Sequence, residues 1–428
     1  DFMRSNIWGG EQLISALKQT IYKDAEMITT ALANEQVEEE QFGYCVGNDC
    51  PKHAGLDDKY LKAKAMTGNM AIRLTPEEDG TMFLGKWYRT ENQDSTFVSI
   101  SQPRALRKPI LVSFTDRVRN LDAVESRAVV YLVAFDLSKT EVGYALGTEH
   151  PRLTYSERTK TEQKRKGWPG PDGLKNTEPL VATGRLSPLD ADRALATFTG
   201  GFKRKHSVFR AGLLSEQMGG SHYGFVENGV VFSTLVPGLA TAYMDRSGRF
   251  SMRTWTKEDN AHLHKVVFAR QNGVPLVYKN RSGQTIPGEL VGHNFEGNWS
   301  GDVKNNIRTL RSGICLQKNP SGKRFLIFGF FSAHTPSAMA RIFQSYECDY
   351  AIHLDMNLVE HAYLATYYRE FGGSIKTEHL LEKMHWKDRK LDENNIPRFL
   401  AVPDNRDFFY ILKKERPIPF NFATENAE

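Results

Sequence analysis

The longest apolar runs in the chain, Ala128–Phe135 and Phe325–Phe331, have the length of single buried strands. Both fall far short of the ~20 residues that a membrane helix needs, so no transmembrane segment is expected. Similar runs at Phe225–Thr234 and Val266–Ala269 are separated by turns bearing Gly and Asn, and this pattern dominates from about residue 80 to residue 330. A chain limited in this way must assemble its core from many short strands. Its 428 residues, 40% of them hydrophobic, suffice for a sizeable core and exclude wholesale disorder. Lys and Arg number 56 against 51 Asp and Glu, a net charge of +5. That balance excludes an acidic solvating protein and is too weak for a dedicated nucleic-acid coat, so no nucleic-acid partner is expected.

Helical spacing occurs in fewer places. Leu13, Leu17, Ile21, Ile28 and Leu32 recur at steps of four and seven across residues 11–40, with charge on the other face. Such a helix packs on its own domain or serves as an arm for a protein partner. A shorter helical pattern surrounds Tyr60–Met66. A third helix is expected after Thr335, which can cap it, with Pro336 in its first turn and a stripe of Ala338, Met339, Ile342, Phe343 and Tyr346. Beside strand Phe325–Phe331 it implies an α+β layer. The expected fold class is therefore α+β: a strand-rich mixed sheet core with packed helices, plus an N-terminal helical extension. Expected boundaries are 1–75 for the helical extension, 76–375 for the α+β domain and 376–428 for a C-terminal strand and tail.

The four cysteines are too few for a disulfide scaffold. Cys45 and Cys50 bracket a Gly-Asn-Asp turn that suits a local disulfide in an exported protein. A zinc site using these two and His53 would lack a fourth ligand. Cys315 and Cys348 lie in apolar surroundings and read as buried thiols. The start, Asp1-Phe2-Met3-Arg4, is neither an initiator methionine nor a signal peptide, as expected of a processed or truncated start. Basic residues Arg158, Lys160, Lys164, Arg165 and Lys166 fall in a turn-rich stretch, Tyr155–Gly173, read as a solvated loop or a polyanion-binding segment. Walker, dinucleotide-glycine, His-Glu-x-x-His and Gly-x-Ser-x-Gly motifs are absent, and no cofactor or metal is implied.

The segment Tyr350–Asn357 concentrates chemistry. At a period of two, Tyr350, Ile352, Leu354 and Met356 share one face, and His353, Asp355 and Asn357 share the other. Further motifs precede it in order: Ala196-Thr-Phe-Thr-Gly-Gly-Phe202, Arg270-Gln-Asn272, and Thr309-Leu-Arg311-Ser-Gly-Ile314. This progression, ending in His353-Leu-Asp355-Met-Asn357, resembles the phosphodiester glycosidase superfamily and its uncovering-enzyme-like domain. It is most similar to a bacterial branch of secreted or envelope proteins. The resemblance spans about residues 125–370. Where members of the superfamily show Asn-Gly-Gly-Phe, Thr199 precedes Gly200-Gly201-Phe202. Where they show Leu-Asp-Gly-Gly, this chain has Leu354-Asp355-Met356-Asn357.

The resemblance implies an extracytoplasmic hydrolase of a sugar-1-phosphate diester or a related cell-envelope glycan linkage, with a carbohydrate or sugar-phosphate substrate. Asp355 would face the anomeric carbon, with His353 or His361 moving protons. Arg270 and Arg311 would grip phosphate, while Gln271, Asn272 and Asn357 would contact the sugar. Gly200 and Gly201 would bring backbone N–H groups to an anion. Each has a plainer alternative: turn hydrogen bonds for Asp355, Gln271 and Asn272, ion pairs for the arginines, structural roles for the histidines, a bulge for the glycines. A non-catalytic surface-binding or assembly module on the same fold is the competing functional expectation.

Overall fold

Turn chemistry between the strands sets the architecture. Asp245-Arg-Ser-Gly248, Asn280-Arg-Ser-Gly283 and Asn319-Pro-Ser-Gly322 each end on a glycine with φ between +75° and +89°. In the first two, the Asp245 and Asn280 side chains accept the N–H two residues on, at 2.9 and 3.1 Å. Tight turns of this kind join antiparallel neighbours, whereas parallel strands need crossovers of a dozen residues or more. The protein, seen as a computed structural model, is described for residues 43–75, 80–149, 183–203, 223–293, 307–370, 373–391 and 394–415. The helix expected over 11–40 and the basic stretch 155–173 lie outside these residues. Among the described strands every ladder is antiparallel.

Three large sheets carry the described structure, beside two two-stranded ribbons. A nine-stranded sheet runs in the order Thr285–Pro287, Val277–Lys279, Tyr350–Met356, Thr309–Lys318, Arg324–His334, Val130–Asp136, Thr96–Ser101, Trp87–Thr90, Leu74–Thr75. A five-stranded sheet holds Val266–Gln271 at its centre, between Phe225–Glu227 and Ala240–Asp245. In another five-stranded sheet the late strand Phe408–Lys413 lies between Ala194–Thr199 and Thr140–Ala145. Aromatic rings join all three: Phe198 lies 5.2 Å from Phe328 and 5.5 Å from Phe409, and Phe268 lies 6.3 Å from Phe409.

The α+β expectation is corrected by this architecture. Among the described residues the α-helices are Lys108–Val112 and Pro336–Ser345, and the remaining helical pieces are short 3₁₀ turns. The protein is strand-rich, with multiple antiparallel sheets, and not a mixed sheet covered by packed helices. Hairpins supply the connections that a mixed sheet would have assigned to helices. The helical pattern around Tyr60–Met66 is likewise a 3₁₀ turn, Asp58–Tyr60, followed by strand Lys64–Met66. Ala63 and Ala65 are buried there while Met66 is exposed, a period of two rather than of 3.6.

Helix Pro336–Ser345 begins as its sequence indicates, with the Thr335 hydroxyl accepting the Ala338 N–H at 3.2 Å. All ten of its residues are buried. Glycines make room for it: Gly313 and Gly329 face each other across neighbouring strands. A Cβ on Gly313 would lie 2.9 Å from the Ile352 carbonyl oxygen and 3.0 Å from Met339 Cε. Two disulfides brace this framework, Cys45–Cys50 and Cys315–Cys348. The second corrects the expectation of buried thiols, since the strand ladder brings together cysteines 33 residues apart. It ties the end of the helix to the central sheet, and a cross-link of that span contributes about 3–4 kcal/mol in the chain-entropy picture. The first occupies both thiols that a zinc site would have needed.

The glycine seat beneath the helix yields a prediction. Gly313→Ala should lower the stability of the fold by about 1–3 kcal/mol through overpacking. The urea unfolding midpoint reads this directly, and an unchanged midpoint would show that the helix does not need the close approach.

Candidate functional site

Strand Tyr350–Met356 is covered on both faces, and all seven of its residues are buried. Its polar side chains therefore need protein partners. Asp355 is 3% exposed. One carboxylate oxygen accepts the Met356 N–H at 2.8 Å, and the other accepts Arg406 Nη1. The next residue, Asp407, forms a second buried pair with opposite polarity. Its carboxylate accepts Arg270 Nε at 2.8 Å and Nη2 at 3.2 Å. It also accepts the Tyr144 hydroxyl at 3.1 Å and the Gly201 N–H at 3.3 Å. The dipeptide Arg406-Asp407 thus fastens the strand carrying Asp355 to the strand carrying Arg270.

The Arg-Gln-Asn motif is bound up in this lattice. Arg270 also donates to the Gln271 and Phe202 carbonyls, at 2.8 and 2.7 Å. Gln271 Oε1 accepts the Gly224 and Val236 N–H groups, while its Nε2 donates to the Val236 carbonyl and the Thr241 hydroxyl. Asn272 accepts the Phe202 N–H at 3.1 Å and donates to the His353 and Leu354 carbonyls at 2.7 and 3.0 Å. Gly200 donates to the Asp407 carbonyl at 2.8 Å. A Cβ on Gly200 would fall 2.2 Å from Asp407 Oδ2, so glycine is required by close approach. The anion met by the Gly201 N–H is the chain's own Asp407 carboxylate, and the Gly200 N–H is taken by the backbone carbonyl of the same residue.

Arg311 does not reach Asp355 as an ion pair. It donates to the His334 carbonyl at 2.9 Å and the Ile307 carbonyl at 3.1 Å, and its Nη1 lies 3.1 Å from His353 Nε2. Because a guanidinium can only donate, His353 Nε2 accepts and the imidazole is neutral. Burial, reinforced by the Arg311 charge, pushes the His353 pKa well below the usual histidine range. Burial likewise takes His334 down to about 3, and His53, with Lys86 near it, down to about 4. His361 is different: its side chain is 16% exposed, its Nδ1 lies 2.7 Å from the Met356 carbonyl, and its Nε2 lies 3.6 Å from Glu360. His361 and Lys387 hold the Glu360 carboxyl down to about 2 against the opposing effect of burial. Asn357 takes φ +86°, and its side chain accepts the Thr309 hydroxyl at 3.2 Å.

Sequence reasoning missed Arg406, Asp407, Glu149 and Lys203. Lys203 follows Gly200-Gly201-Phe202 and lies 3.6 Å from Glu149. Burial lowers the Arg406 pKa to about 10, while the Asp407 and Glu149 charges oppose that shift. At neutral pH Arg406 is cationic. The available signal was the charged run Asp404-Asn-Arg-Asp407 immediately before the apolar run Phe408–Leu412.

No family model matches the chain, and no curated protein matches it. Among solved structures it is similar to the zebrafish N-acetylglucosamine-1-phosphodiester alpha-N-acetylglucosaminidase catalytic domain auto-inhibited by its pro-peptide, at 13% identity and a TM-score of 0.37. That match covers 76% of this chain and 85% of the other. A hypothetical protein from Synechocystis is similar at 10% identity and a TM-score of 0.30, with 67% and 59% covered. A putative exported protein from Burkholderia pseudomallei follows at 9% identity and 0.26, with 59% and 73% covered. All three similarities are distant.

The buried ionisable groups yield two predictions. Asp407→Ala leaves the Arg270 guanidinium buried without its carboxylate and should cost about 3–5 kcal/mol. Asp94→Ala, which breaks the exposed pair with Lys139, should cost under about 1 kcal/mol, and equal losses in urea melts would refute the difference. The neutral histidines give the second. Unfolded, each binds a proton below about pH 6.5; folded, His53, His334 and His353 resist it. Stability should therefore fall as pH drops from about 6.5 to about 5.5, by up to ~1.4 kcal/mol per unit for each histidine. His353→Gln should flatten that slope, and a wild-type midpoint constant over this window would contradict the assignment.

Proposed function

We propose that the protein hydrolyses a sugar-1-phosphate diester or a related cell-envelope glycan linkage, with Asp355 facing the anomeric carbon. The observation that carries this reading is the Asp355–Arg406 pair, an acid held beside a cation at the end of a central strand. Phosphate is a good leaving group, so the reaction chiefly requires stabilisation of positive charge on the ring and of negative charge on the departing phosphate. The Asp355 carboxylate serves the first need. Arg406 serves the second, in place of the expected Arg270 and Arg311, whose guanidinium groups are turned onto protein acceptors. Among the described residues the Arg406 side chain has one hydrogen-bond partner, Asp355, and a guanidinium carries five donors.

His361 is the better supported proton carrier. Its Nδ1 is held by a carbonyl and its Nε2 faces the Glu360 carboxylate, whose charge would stabilise the imidazolium formed when Nε2 accepts a proton from attacking water. His353 is sealed and turned towards Arg311, so positioning suits it better than proton transfer. The bond between C1 and the phosphate oxygen breaks, the phosphate monoester leaves as an anion, and water supplies the hydroxyl at C1. An extracytoplasmic location fits the two disulfides, which persist in oxidising compartments. No helix of the described residues is long and apolar enough to cross a membrane.

A second reading has its own support. Arg270, Gln271, Asn272 and Arg311 are buried and held by protein partners. That arrangement suits a non-catalytic binding or assembly module on the same framework. Sugar release from a panel of aldose 1-phosphate methyl diesters separates the two. On the hydrolase reading, at least one diester is cleaved, and Asp355→Asn lowers kcat/KM on the order of a thousandfold while the circular dichroism spectrum is retained. If nothing in the panel is cleaved and Asp355→Asn behaves as wild type, the binding module is the surviving reading.

A further inference from the structure

Trp386 departs from the burial pattern of the other described tryptophans. It is 72% exposed, whereas Trp87 and Trp255 are 0% and 3% exposed. It sits on the 3₁₀ turn Glu382–Lys387, which packs against the turn Val359–His361 that carries His361. The two turns are fastened by Lys387 Nζ, 2.5 Å from Glu360 Oε2. Two residues before Trp386 on the same turn, Met384 is fully buried, and its sulfur accepts the Leu364 N–H at 3.4 Å. The indole is therefore presented from a seated turn. Leu358, another large apolar side chain left exposed, immediately precedes the His361 turn.

Indole is the largest flat apolar surface a side chain can offer, and it has a polar edge. Keeping it in water forgoes hydrophobic stabilisation that a ligand could recover. The face of a pyranose ring matches it, because axial C–H groups can lie on the indole while equatorial hydroxyls point outwards to charged neighbours. Glu360 and Lys387 provide both an acceptor and a donor there. We propose that Trp386 is a carbohydrate-stacking platform that binds a pyranose ring beside Asp355 and His361. This rests on the hydrolase reading and deepens it by placing the sugar on the side of the site bounded by the Glu382–Lys387 turn.

The test uses the full chain as wild type, Trp386→Ala and Trp386→Phe, with the methyl diesters of glucose, mannose and N-acetylglucosamine 1-phosphate as probes. Thermal melting should be alike in all three proteins, as expected for an exposed side chain. For whichever diester is cleaved, Trp386→Ala should raise KM by about tenfold with kcat within about twofold, and Trp386→Phe should retain most of the affinity. An unchanged KM in Trp386→Ala overturns the platform while leaving the hydrolase reading intact. If no diester is cleaved, calorimetric titration with the same probes decides the platform by itself. Binding lost in Trp386→Ala and kept in Trp386→Phe sustains it, even as the hydrolase reading falls. Binding equal in all three proteins, or absent from wild type, overturns it.

Discussion

The dipeptide Arg406-Asp407 concentrates two buried ion pairs of opposite polarity at the junction of three sheets. Arg406 reaches Asp355 in the nine-stranded sheet, Asp407 reaches Arg270 in a five-stranded sheet, and the strand that follows belongs to the remaining one. Removing four charges from water is costly, and their attraction offsets that cost only when the leftover donors and acceptors are also satisfied. Asp407 meets that condition through Arg270, Tyr144 and the Gly201 N–H. The lattice discriminates among arrangements more than it adds stability, since sliding any one sheet would strand a charge in the interior. Gly200 belongs to the same constraint because a side chain there would collide with the Asp407 carboxylate.

This constraint also explains which features were readable along the chain. Helix Pro336–Ser345 and strand Tyr350–Met356 announce themselves because their signals are local: a capping threonine, a first-turn proline, an apolar stripe, then alternation of period two. The ion pairs join residues 51 and 137 positions apart, and no local pattern encodes such partners. The Cys315–Cys348 bond escaped for the same reason. Fold class was misjudged because one well-marked helix beside one apolar strand was extended to the whole core, when the Asx-Gly turns between strands already favoured hairpins.

Electrostatics divide the candidate residues into two groups. Arg270, Arg311 and His353 form an interior group whose side chains are turned onto carbonyls, Asp407 or one another, and His334 joins it through its backbone carbonyl, which accepts Arg311 Nε. Keeping histidines neutral beside Arg311 avoids burying further positive charge, which burial in a poorly polarisable interior would penalise. Asp355, Arg406, Glu149 and Lys203 form the other group, where the charges of Asp407 and Glu149 favour the cationic form of a largely buried arginine. Apart from Asp355, the sequence motifs draw attention to the first group, whose density of hydrogen bonds fixes the geometry of the second.

Met356 and Asn357 show how the strand end accommodates this division. Asn357 adopts φ +86°, a backbone state natural to glycine and tolerated by asparagine, so the turn survives without a glycine at that position. Met356 is 1% exposed, and its sulfur accepts Arg311 Nη1 at 3.3 Å. A glycine in its place would remove both the packing atoms and that acceptor, leaving space beside the guanidinium. The methionine and the inward-turned Arg311 are therefore parts of one packing solution, in which Arg311 is held against His353 and the carbonyls. With Arg270 held by Asp407, the cation left in contact with the Asp355 carboxylate is Arg406.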